Sequence, residues 1–117
     1  MSGSPRDYLL HILDETHYIL TTSQGLNKAL FLENETLKRA FVRSLEIIGE
    51  ATKNLSYDFR AQYSDVAWKQ IAGMRDKLIH DYFGVNYDIV WDVVNSEIPR
   101  LDLAIKRILM DLEGDIH

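Results

Sequence analysis

Apolar residues return every third or fourth position along almost the whole chain, and this regularity commits it to helices rather than strands. Leu9, Ile12, Leu13, Thr16 and Leu20 share one helical face behind Pro5, a residue suited to a first helical turn, so a first helix is expected over 5–21. The segment TTSQGLN, with Gly25, breaks the pattern, and Ala29 to Leu32 is expected to pack back on the core as an anchor within a loop. A second helix opens with Asn34 as N-cap and Glu35 in its first turn. Its stripe is Leu37, Phe41, Leu45, Ile48, Thr52 and Leu55. Ala40, Ile47 and Ala51 widen that arc beyond what one partner helix requires, which points to a second contact surface such as another subunit.

After the junction YDFRAQYS, Asp65 is the expected cap of a third helix carrying Trp68, Ile71, Ala72, Met74, Leu78 and Ile79. That helix should end near Phe83, because Gly84 suits a left-handed C-terminal cap. Asn86 can cap the last helical stretch, where Ile89, Val90, Val93, Val94, Leu101, Ala104, Ile105, Ile108 and Leu112 keep helical spacing. Pro99 marks either a kink or the start of a fifth helix. The β-branched run IVWDVV resembles a strand in isolation, yet no partner strand exists elsewhere in the sequence. The expected fold is all-α, an up-and-down bundle of four or five helices. A length of 117 residues with 46% hydrophobic content fits one domain over 1–117.

The absence of cysteine excludes disulfides, thiolate nucleophiles and Cys-based zinc sites, and makes a reducing cytoplasm the simplest compartment. The start, MSGSPRDYLLHILDE, has only a brief apolar run broken by His11 and Asp14, and reads as neither signal peptide nor membrane span. Thirteen basic against eighteen acidic residues give a net charge of −5, which opposes broad attachment to a phosphate backbone. A nucleic acid would need a local basic cleft. Lys38, Arg39 and Arg43 form one loose cluster and Lys69, Arg75 and Lys77 another, each readable as an ordinary solvated face. His11, His17 and the terminal His117 have unremarkable neighbours.

His80 differs, because Arg75, Asp76, Lys77, Asp81 and Tyr82 crowd around it in the segment RDKLIHDY. On a continuous helix Arg75 and Tyr82 would project almost the same way, and Asp76 would neighbour His80 four positions on, holding the imidazole in one tautomer. Arg75 and His80 would point about 140° apart, converging only if the helix end unwinds or a second subunit supplies one of them. The same residues could equally form a surface ion-pair cluster at a helix end. A metal site from Asp76, His80 and Asp81 is disfavoured, since Asp81 projects away from Asp76 and only one histidine is present. No metal and no cofactor are expected.

The string GMRDKLIHDYFGV resembles the motif of HEPN proteins of the HepT kind: an Arg, a polar residue, a spacer, a His, one residue and a Tyr. Here these positions are Arg75, Asp76, His80 and Tyr82. LEIIGEATKNL, the junction leading to Trp68, and YDIVWDVV extend the resemblance over most of the chain. It implies a bacterial toxin that cuts RNA, tRNA or mRNA among the possible targets, without a metal, as a homodimer whose two motifs face one cleft. Arg75, His80 and Asp76 would be catalytic. It further implies neutralisation by an MntA-like nucleotidyltransferase antitoxin that adenylylates Tyr82, a residue that otherwise could stack on or bind RNA. The competing expectation is a non-catalytic HEPN module that only docks a nucleotidyltransferase or a nucleotide.

Overall fold

A computed structural model describes residues 3–80 and 84–114 of the chain, with Ile79 and His80 described through their backbone. The first helix, α1 (Pro5–Thr22), starts from a reciprocal cap: Asp7 N–H donates to Ser4 Oγ at 3.3 Å, and Ser4 N–H to Asp7 Oδ2 at 3.2 Å. Leu9, Ile12, Thr16 and Ile19 form its buried face, so the last buried position is Ile19 rather than Leu20. Gly25 takes a φ of +78° in the turn that follows. The expected anchor is a short helix, α2 (Lys28–Glu33), capped by Asn27. Its Phe31 is fully buried, with ring centroids 5.5 Å from Phe41 and 5.2 Å from Trp91.

Helix α3 (Glu35–Lys53) begins at the expected cap, with Leu37 N–H donating to Asn34 Oδ1 at 3.0 Å. Lys38 in its first turn joins three elements. Its Nζ donates to Leu32 O at 3.1 Å and to Glu35 Oε1 at 2.8 Å, and lies 4.7 Å from the centroid of the Tyr87 ring. The hydrogen bond from Lys38, and then its charge, hold the Glu35 carboxyl below the usual range. The junction expected between the second and third helices is itself helical, α4 (Tyr57–Gln62), because Ser56 Oγ accepts from Phe59 N–H at 3.0 Å.

The third helix departs from expectation at both ends. Asp65 does not cap it. Its carboxylate pairs with Arg107, and α5 (Trp68–Ala72) opens at Ala67 with no side-chain cap. Gly73 separates α5 from α6 (Met74–Leu78), and the helix stops there rather than near Phe83. Leu78 O receives Asn86 N–H at 2.9 Å from the returning chain, so its hydrogen bond goes to a strand pair instead of another helical turn. That pair is antiparallel, with β1 (Ile79–His80) against β2 (Gly84–Val85), and Ile79 opposite Val85. Gly84 has the expected left-handed φ of +73°, but it serves the returning strand and not a helix cap. Phe83 lies outside the described residues.

The last helix, α7 (Tyr87–Gly114), is capped by Asn86, whose Oδ1 accepts from Ile89 N–H at 3.2 Å. It includes IVWDVV and runs through Pro99 without a break into a separate fifth helix. α1 packs on both α3 and α7, while α3 also meets α5 and α6. Much of the wide apolar arc of α3 is therefore covered within the chain; Ala51 is buried, with Ala40 and Ile47 half-buried. The architecture is all-α, a HEPN-like helical bundle with one two-residue strand pair among the described residues. None of the described helices is long and apolar enough to cross a membrane.

Candidate active site

A glycine in a helix interior lowers helix propensity, and Gly49 has a packing reason to be there. A Cβ at this position would stand 3.3 Å from Ile71 O and 3.5 Å from Ala72 O, so the missing side chain lets α3 approach the end of α5. Glu46 lies three residues before Gly49, nearly one turn away, and therefore faces the segment that continues into α6. There Arg75 Nε donates to Glu46 Oε2 at 3.2 Å. The Arg75 side chain remains 58% exposed and that of Glu46 only 29%.

This pair lies on a groove of about 400 Å³. α1 contributes Tyr8 and His11, and α3 contributes Arg43, Glu50 and neighbouring apolar groups, with Asn54 just beyond its end. Cationic Arg43 and Arg75 thus share the groove with anionic Glu46 and Glu50, and an imidazole stands among them. Nothing in the spacing of the chain singles out Glu46 or His11, because packing brings Glu46 against Arg75 and His11 onto the same groove. The one available signal was Gly49: a glycine inside the apolar stripe of a helix marks a close approach, and residues a turn away face the neighbour.

The motif residues fare differently from one another. Arg75 and Asp76 are both exposed on α6. His80 lies beyond the helix, in β1 opposite Gly84. The expected helical neighbourhood of Asp76 and His80 is therefore replaced by a helix-to-strand boundary. The divergence of Arg75 and His80 drawn from a continuous helix lapses for the same reason. Tyr82 and Asp81 lie outside the described residues, as does His117. Of the two basic clusters, Lys38 is tied into the fold, Arg43 enters the groove, and Arg39, Lys69 and Lys77 are exposed. Among the described residues no three His, Asp or Glu side chains gather as a metal site requires.

Residues 10–108 match the family model described as "HepT-like: Ribonuclease HepT-like". A candidate RNase of Caldanaerobacter subterraneus subsp. tengcongensis is 55% identical over 106 residues, covering 91% of this chain and 95% of that protein. A candidate RNase of Methanocaldococcus jannaschii is 43% identical over 94% of this chain and 91% of its own length. A protein of Thermococcus cleftensis named "Probable ribonuclease HepT" is 40% identical over 86% of this chain and 92% of its own. No solved structure gives a significant match. A family match over most of the chain, with relatives this similar along nearly their whole length, means that the chain belongs to the HepT-like ribonuclease family.

Proposed function

We propose that this protein is a metal-independent endoribonuclease and the toxin of a bacterial toxin–antitoxin pair. The observation that carries the reading is Arg75: an exposed guanidinium on a groove, five residues before His80, in a chain whose relatives are named as RNases. Strand cleavage by these residue types needs no cofactor. His80 takes the proton of a ribose 2′-hydroxyl, and the 2′-oxygen attacks the adjacent phosphorus. The bond to the 5′-oxygen breaks, a second imidazole protonates that oxygen, and the products are a 2′,3′-cyclic phosphate and a 5′-hydroxyl. Arg75 carries the charge that builds on the phosphate oxygens, and Asp76 orients His80.

Two proton transfers call for two imidazoles, and a homodimer supplies His80 twice. In this reading an MntA-like nucleotidyltransferase silences the toxin by adenylylating Tyr82, placing bulk and an anion beside the phosphate-binding arginine. Cleavage of total RNA by purified protein tests the chemistry. His80→Ala should abolish it and Arg75→Ala should leave only a slow residual rate, both keeping the helical circular dichroism of wild type, and EDTA should leave wild type unaffected. A folded His80→Ala protein that cuts at the normal rate would leave a docking module as the better description.

A further inference from the structure

We propose that Glu46 is the positioning residue for Arg75, fixing the guanidinium through Nε so that its two terminal nitrogens are presented to a phosphodiester. The inference rests on the ribonuclease reading of the site. Arg75 stands on a five-residue helix with its side chain 58% exposed, so an untethered guanidinium would sample many placements. A group that stabilises a transition state contributes most when its placement is fixed beforehand. The 3.2 Å contact is made at Nε. Pairing there occupies one flank of the planar group and leaves the Nη1 and Nη2 end as two parallel donors, the arrangement that meets an oxyanion in bidentate fashion. Among the described residues Arg75 makes no other hydrogen bond or ion pair.

Glu46 is suited to hold rather than to react. An arginine guanidinium does not give up a proton in proteins, so such a pair transfers none. Glu46 projects from a helix whose distance to the following segment is set by the contact at Gly49, and its own side chain is only 29% exposed. An ion pair this exposed on the arginine side contributes little to stability. The carboxylate also opposes RNA binding by its charge. Its removal should therefore lower the rate of the chemical step without raising KM, which is the signature of an interaction used in the transition state and not in ground-state binding.

The test is cleavage of a fluorescent RNA oligonucleotide that wild type cuts, with kcat and KM measured for the faster variants and single-turnover rates for the slower ones. Glu46→Ala should lose about 10- to 100-fold in kcat with KM unchanged or lower, on the scale expected when a catalytic group is misplaced by about an ångström. The double variant with Arg75→Ala should be no slower than Arg75→Ala alone, because both changes remove the same contribution. Glu46→Gln keeps the shape and an acceptor oxygen, so it should lose less than Glu46→Ala and show the same non-additivity; it carries the test if Glu46→Ala fails to fold. Wild-type kcat in the folded Glu46 variants, or losses that multiply with Arg75→Ala, would overturn the proposal while leaving the ribonuclease reading in place. Wild-type cleavage by Arg75→Ala would instead overturn that reading, and this inference with it.

Discussion

Asp102 is a carboxylate inside the hydrophobic interior, only 4% exposed, and two donors make that placement tolerable. Thr16 donates to its Oδ1 at 2.7 Å, tying α1 to α7, and Lys106 of the same helix pairs with its Oδ2 at 2.8 Å. Thr16→Val keeps the side-chain shape and removes the donor, leaving a buried oxygen unmatched. A loss of about 1–3 kcal/mol in urea unfolding is expected; unchanged stability would show that Lys106 suffices for the carboxylate. Tyr82 makes a different kind of prediction, since its proposed part is to accept AMP. After coexpression with the cognate nucleotidyltransferase, the intact mass of wild type should rise by one or more AMP units and that of Tyr82→Phe should not. Equal modification of both would place the acceptor elsewhere. At this scale Arg75 lines the groove and Asp76 is exposed on α6, and the sequence singled out both through their density of charge. It concealed Glu46 and His11, which reach the groove because α3 packs on both α1 and α6. The pairing of Asp76 with His80 failed as a helical projection because it assumed a continuous helix through a segment that pairs as strands.

Caps and breaks decided how well the elements could be read. Asn34 and Asn86 were legible as caps because the amides they accept from lie three residues on in the same chain. Asp65 offered the same chemistry, but Arg107, distant in sequence, takes its carboxylate. The end of the third helix was misplaced because a left-handed glycine serves a helix cap and a reversing strand equally well, and only the amide of Asn86 on Leu78 O decides between them. Pro99 sits within α7, where it can donate no hydrogen bond and its ring crowds the preceding turn. Pro in a helix interior is about 3 kcal/mol less favourable than Ala, so Pro99→Ala should stabilise the protein by up to about that amount in equilibrium unfolding. A loss of stability instead would mean that the helices packed on α7 depend on the backbone geometry that the proline ring fixes there.

Assembly belongs to the molecule as a whole, and the proposed chemistry needs two imidazoles where each motif supplies one. Light scattering at micromolar concentration should give twice the chain mass, and the two copies of Arg75 should face a common cleft. A monomer mass for protein that still cuts RNA would require a second imidazole from the same chain, and His11 in the groove would be the first to replace. The all-helical class was legible from apolar spacing alone. The order in which helices meet was not, because α1 packs on helices near and far in sequence with similar apolar faces. The aromatic stack of α2 has a practical consequence for following such events in solution. Phe31 lies between Phe41 and Trp91, so Trp91 emission senses whether α2 is seated, and Leu32 of α2 lines one pocket with Gly84 and Val85 of the returning chain. Trp68 heads α5, its indole N–H bonded to Tyr63 O at 2.9 Å. Fluorescence from Trp68→Phe and Trp91→Phe would thus separate the two regions: a partner acting at the motif should quench or shift the Trp91 signal, while Trp68 follows the junction ahead of α5.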